Sequence, residues 1–230
     1  MDNNDLLNYT KTTITQAQLH LQYLREMTDI CEGVDGISAK LNNDSLLEET
    51  AQVLQFNSLT TIAKIDLSII LKNLLSAEFQ WEKLYFLRQA HLTIHETLAT
   101  YNNHNKNLRI MAIRQPGLNE DYIVLQDELK QFRKKAVAAN TNEIRNCTAH
   151  IDQDFKKYYD TLLKVDASKT LELTADFIRI LDKLFLFSHK CLEADALSTP
   201  DLEQLEKKMT EFREKLLELS EIIDGKNKQR

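Results

Sequence analysis

Four glycines and two prolines in 230 residues leave too little turn chemistry for a many-stranded sheet, and abundant Leu, Lys, Glu, Gln and Ala point instead to an all-α chain. A formal net charge of −6 argues against a protein that coats nucleic acid through clustered lysines and arginines, while leaving room for a local basic cleft. Cys31, Cys147 and Cys191 are odd in number and far apart, so they imply neither a disulfide framework nor a CxxC metal site, and they fit a reducing cytoplasm. The opening MDNNDLLNYTKTT lacks a basic segment followed by an apolar one and does not read as a signal peptide. The most apolar run, residues 59–75, is interrupted by Lys64, Asp66 and Lys72, which marks a buried helix rather than a membrane span. A soluble, cytoplasmic protein with no membrane partner is the expectation.

In chain order, a first helix is predicted over residues 10–31, where Ile14, Ala17, Leu21, Leu24, Thr28 and Cys31 recur at steps of three and four. The glycines at 33 and 36 should break it. A second helical region, 45–75, is apolar on most sides in its later half, as a central helix would be. Asp66 within it is either a polar group at the helix edge or a buried carboxylate with a partner. A third helix, 77–101, is rich in large side chains, among them Phe79, Trp81, Tyr85 and Phe86. His91 and His95 on it have the spacing to share a metal on one face, with Glu96 beside them, but no third ligand is evident and no metal or cofactor is assigned.

The run NNHNKN at 102–107 favours a turn, because asparagine side chains compete for backbone hydrogen bonds. Residues 108–117, ending at Pro116-Gly117, then read as a functional loop or an ordinary connection. A fourth helix is predicted over 119–139. Asn140 with Glu143 three residues on would form a capping box and start the next helix near Thr141. On that helix Ile144, Cys147, Ile151, Phe155, Tyr158 and Leu162 form an apolar stripe, beside a polar line of Asn146, His150 and Asp154 at four-residue steps.

The remainder reads as a helical pair. Its first member covers 168–193. The second starts at Thr199-Pro200 and sets Leu202, Leu205, Met209, Phe212, Leu216, Leu219 and Ile223 at the spacing of a knobs-into-holes seam. That seam packs against the preceding helix or against a second chain. The fold expected is an up-down helical bundle of about six to seven helices with a C-terminal helical hairpin. It would comprise an N-terminal helix and linker (1–44), a helical core (45–165) and the hairpin packed on it (166–230).

Arg145-Asn146-Cys147-Thr148-Ala149-His150 resembles the signature of the HEPN superfamily, the higher eukaryotes and prokaryotes nucleotide-binding domains. That signature is an Arg, often followed by a polar residue, then a His with four to six residues between the two, on a late helix of an all-α bundle. Arg88 and His95 satisfy the loose spacing too, so the Asn directly after Arg145 is what makes the match selective. The resemblance implies a metal-independent endoribonuclease, in some cases a toxin or defence effector with a protein antitoxin, whose composite site forms in a homodimer. RNA would be the substrate.

These residue types suit that chemistry. Cleavage beside a 2′-hydroxyl needs a group that moves protons and a cation that meets growing negative charge. His150 would be the general acid or base, Arg145 the phosphate-holding fork, and Asn146 the group that orients the imidazole or the ribose. By helical spacing Asp154 would hydrogen-bond His150. The pairing of a long helix with the motif helix in the family would turn Glu96 towards His150. Lys106, Arg109 and Arg114 would guide RNA phosphates if their loop overhangs the site. An ordinary solvated helix face would carry the same polar line, and the alternative function is then a catalytically silent all-α interaction module.

Overall fold

The computed structural model describes residues 3–40, 48–114, 116–149 and 154–198, and these form helices joined by short corners. In chain order they are α1 (Asn3–Lys40), α2 (Glu48–Ser76), α3 (Gln80–Arg114), α4 (Pro116–Ala138), α5 (Thr141–Thr148), α6 (Phe155–Leu163) and α7 (Ala167–Ser198). The protein is thus an all-α helical bundle. The chain divides into two compact units, Met1–Leu192 and Glu193–Arg230, the second described only as far as Ser198. The sequence divisions at 44 and 165 fall inside the first unit. The seam from Leu202 to Ile223 lies outside the described residues.

Successive long helices pack as neighbours, α1 on α2, α2 on α3 and α3 on α4, and the short α5 lies against α3. Helix α7 touches four of the others. Its Phe177 ring stacks on Phe132 of α4 at 4.6 Å, and its Phe185 meets the His20 ring of α1 edge-on at 4.4 Å. Asp182 pairs with Lys64 of α2, and Thr170 bonds His91 of α3. Leu173, Phe177, Ile178, Leu181, Leu184, Phe187 and Cys191 are all buried, as a helix needs when neighbours surround it. Each fully buried Leu or Phe contributes about 1.5–3 kcal/mol. Several buried hydroxyls on this framework are matched locally: Thr60, Thr97, Thr174 and Ser188 each donate to a carbonyl of their own helix, whereas the buried Ser68 hydroxyl has no partner among the described residues.

Along the α4·α7 contact, three ion pairs alternate with the apolar packing. Lys190 meets Asp121 at 2.5 Å, Lys183 meets Glu128 at 2.5 Å and Lys135 meets Asp176 at 2.6 Å. The decreasing α4 numbers against increasing α7 numbers show that the two helices run antiparallel.

Several expectations change. α1 continues through Gly33 to Lys40, because one glycine weakens a helix by about 1 kcal/mol without forbidding it. α2 is not buried all round: Leu67, Ile70, Leu71 and Leu74 face the core, whereas Leu59, Ile62, Asp66 and Ile69 are exposed. Partial burial still pushes the Asp66 carboxyl above its usual range. NNHNKN is helical, and so are residues 108–114. Its asparagines find tertiary partners that outweigh their turn preference: Asn105 Oδ1 accepts from the hydroxyls of Tyr101 (2.7 Å) and Tyr122 (2.8 Å), and Arg133 donates to Asn102. Burial pushes the Tyr101 hydroxyl up to about 12.

The corner between α4 and α5 also differs. Asn140 makes no side-chain cap and has φ 56°, so there is no capping box with Glu143. Instead its backbone N–H donates to Val137 O and its own carbonyl accepts from Ile144 N, so one left-handed residue ends α4 and begins α5. Asparagine tolerates this conformation, whereas a β-branched side chain does not. Asn140→Val is expected to lower unfolding free energy by about 1–2 kcal/mol in urea titrations, with Asn140→Gly near neutral.

Candidate functional site

Helix α5 is held to α3 by two polar clamps, one at each end. At its start, His91 of α3 is only 1% exposed and both ring nitrogens are engaged: Nδ1 lies 3.1 Å from Thr141 Oγ1 and Nε2 lies 3.0 Å from Thr170 Oγ1. The Thr170 hydroxyl already donates to Asp166 O at 2.8 Å, so it must accept from His91. The proton therefore sits on Nε2, and Nδ1 accepts from Thr141. Desolvation lowers the pKa of this neutral imidazole to about 4. A metal at His91 would have to displace one of these hydroxyls, and no group of three metal-ligating side chains occurs among the described residues. A cavity of about 150 Å³ adjoins His91, walled by Asn140, Glu143 and Lys164; Arg145 is not part of its wall.

At the far end of α5, the Arg145 guanidinium crosses to Glu96 of α3. Its Nε and Nη2 donate to Glu96 Oε1 at 3.1 and 3.0 Å, and Nη1 donates to Asn146 Oδ1 at 3.3 Å. Between the clamps, Thr141, Ile144 and Thr148 bury the inner face of α5 at steps of three and four. That burial leaves Arg145 partly exposed, with 35% of its side chain open to solvent. His95 Nδ1 lies 3.5 Å from the same Glu96 oxygen, close enough to pair when protonated but without a hydrogen bond.

The structure thus brings together Arg145, Asn146 and Glu96, with His95 at the edge of the group. Glu96 reaches the motif helix, but its partner is Arg145. His150 lies outside the described residues. Asp154 does not share a continuous helix with Asn146, because α5 ends at Thr148 and Asp154 is the N-cap of α6, accepting from Lys157 N at 3.0 Å. A strong capping side chain started a new helix there, so the predicted three-residue polar line is broken. Lys106, Arg109 and Arg114 lie on the last turns of α3 instead of a loop. Arg109 is thirteen residues beyond Glu96, about 20 Å along the axis, and the three do not join Arg145.

His95 is the group that sequence reasoning treated as half of a metal pair and as a chance match to the loose Arg-to-His spacing. Its place beside Glu96 followed from adjacency, but nothing in the sequence said that Glu96 would hold Arg145.

A second feature extends from the same face of α3. Trp81 and Tyr159 stack at 5.9 Å with planes 20° apart, and Phe155 continues the stack from Tyr159 at 5.7 Å and 23°. Nearby, the Arg88 guanidinium lies 5.2 Å over the Tyr85 ring and donates to the Tyr158 hydroxyl at 2.8 Å.

Comparison with known proteins finds no family model, no curated protein and no solved structure that matches this chain. No helix among the described residues is long and apolar enough to cross a membrane.

Proposed function

We propose that this chain is an HEPN-like, metal-independent endoribonuclease of the cytoplasm, working as a homodimer in which Arg145, Asn146 and His150 serve a composite site. The observation that carries this reading is the holding of Arg145: Nε and Nη2 are fixed by Glu96 and Nη1 donates to Asn146, while 35% of the side chain stays open to solvent. A guanidinium fixed by a carboxylate behind it is preorganised to meet a phosphate in front. His150 follows within two residues of the α5 end and would supply the proton transfer. A toxin or defence role with a protein antitoxin belongs to the same proposal.

The competing reading is a catalytically silent helical interaction module, favoured by the fact that Glu96 already neutralises Arg145. Purified wild type and His150→Ala, incubated with structured and single-stranded RNA in the presence of a chelator, separate the two. The ribonuclease reading expects cleavage by wild type to persist with chelator and to fall by about 10²- to 10⁴-fold in the variant. Equal decay in both proteins, or no decay in either, sinks it.

A further inference from the structure

We propose that His95 is the general base of the site, taking the proton from the attacking 2′-hydroxyl while Arg145 holds the phosphate. The proposal rests on the ribonuclease reading and adds to it a catalytic side chain from α3, outside the stretch from Arg145 to His150.

Cleavage of RNA at its own 2′-hydroxyl moves two protons. One leaves the 2′-oxygen as that oxygen bonds to phosphorus, and one reaches the 5′-oxygen as its bond to phosphorus breaks. The products are a 2′,3′-cyclic phosphate and a 5′-hydroxyl, so protons and electrons balance without water or a redox partner. Arg145 and Asn146 cannot exchange protons near neutral pH. One imidazole alone would have to serve both oxygens, which stand on opposite sides of the phosphorus. Two fixed groups do so without moving.

His95 is the imidazole that the described residues place against the Arg145 ion pair. Arg145 Nη2 and His95 Nδ1 lie 3.0 and 3.5 Å from the same Glu96 oxygen, so the two nitrogens are at most 6.5 Å apart. His91, one turn earlier on α3, is unsuited, because it is buried and both its nitrogens are bonded.

The ring is also oriented for the role. Nδ1 is enclosed by protein and makes no hydrogen bond, yet 29% of the side chain is open to solvent. That opening belongs to the outer edge of the ring, where Nε2 has no partner among the described residues. An unprotonated Nδ1 would aim its lone pair at the carboxylate, so the neutral ring carries its proton there and Nε2 keeps the lone pair that a base needs. On accepting a proton at Nε2 the ring becomes a cation facing Glu96. An attraction that grows as the proton moves favours the step itself. With the phosphate present, two cations, Arg145 and the charged His95, then meet two anions. His150 is left to protonate the departing 5′-oxygen.

The test uses the full chain and an oligoribonucleotide with one cleavable linkage, cut by wild type, His95→Gln and His150→Ala across the pH range where imidazole titrates. The wild-type rate should fall on both the acid and the alkaline side. His95→Gln should lower the rate at saturation by at least about a hundredfold and change half-saturation by less than about threefold. It should also lose the fall on the acid side, because the group that had to be deprotonated is gone. A linkage with sulfur in place of the 5′-oxygen separates the two histidines. A thiolate leaves without a proton, so this substrate should restore His150→Ala and not His95→Gln. Imidazole added to the buffer should speed His95→Ala at least about tenfold and leave Arg145→Lys unchanged.

A His95→Gln protein that matches the wild-type rate, keeps the acid-side fall or recovers on the sulfur substrate overturns the assignment. The ribonuclease reading survives that result if His150→Ala is inactive on the ordinary linkage. A wild type that cuts neither substrate overturns both. Loss of activity in His95→Ala with an altered circular dichroism spectrum and no rescue by imidazole would make His95 a structural residue and end the proposal.

Discussion

Arg145→Lys is expected to reduce RNA cleavage at least a hundredfold while changing unfolding free energy by no more than about 1 kcal/mol. The reasoning lies in the number of donors. Arginine uses Nε and Nη2 on Glu96 and one N–H of Nη1 on Asn146, and the second N–H of Nη1 is left for another acceptor, so it can be held and act at once. Lysine carries the same charge on one nitrogen, which must choose between the carboxylate and the phosphate. Being drawn to Glu96, it keeps the link between α3 and α5 and loses the catalytic contact. Single-turnover cleavage and urea denaturation on the same preparation check the two halves. Were Arg145 only a strut between helices, Lys would preserve whatever activity the protein has. Glu96→Gln should act more gently, about tenfold on the rate, because it loosens the fork without removing it.

The second large effect concerns acid. His91 has a folded pKa of about 4, against a reference value of 6.5 for an unfolded chain. Between those values the unfolded state binds the extra proton and the folded state does not. Stability therefore rises with pH across this window: the contribution is fully present above pH 6.5 and is lost as pH falls towards 4. The loss attributable to this one imidazole is roughly 3 kcal/mol, at 1.36 kcal/mol for each unit. His20 and His104 are also lowered by desolvation and add in the same direction. His91→Gln removes the titrating group while retaining a side chain that can donate and accept towards Thr141 and Thr170. Its urea midpoint should be lower at pH 7 but should fall less between pH 6.5 and 4. A variant with a pH profile parallel to that of wild type would show that the interior histidine is not the source of acid sensitivity.

How much of this could be read before the structure depends on whether the signal was local. Composition decides helix against strand, and the periodic apolar positions place α4 and α7 within a few residues but only the middle of α1, which runs from Asn3 to Lys40. Competition with distant partners is invisible locally. The asparagines at 102–107 look like a turn until Tyr122 and Arg133 arrive from α4 to bond them. The apolar run in α2 suggests the centre of the bundle, but burial depends on how many neighbours a helix acquires, and α7 acquires more.

The site was legible to the same extent. Arg145 and Asn146 drew notice through their spacing to His150, and Glu96 was placed near the motif helix, but its partner was not foreseeable. Asp154 failed for a specific reason. Four-residue spacing predicts a shared face only while the helix persists, and an aspartate is also among the best residues for starting a new one. The aromatic stack was hidden because Trp81 lies on a different helix from Phe155 and Tyr159, far away in the sequence, and apolar rings in a sequence look like core.

The three ion pairs between α4 and α7 have a further consequence in their signs. Asp121, Glu128 and Lys135 stand at seven-residue intervals on α4, and Asp176, Lys183 and Lys190 stand at the same intervals on α7. Two heptad-patterned helices can slide past each other by seven residues and still bury apolar side chains, so packing alone is a weak judge of alignment. Here the order is acid, acid, base facing base, base, acid. A slip one way sets Lys135 against Lys183, and a slip the other way sets Glu128 against Asp176. Each exposed pair adds little to stability on its own. Their sequence of signs works as a key, because only one alignment of the two helices leaves no like charges face to face.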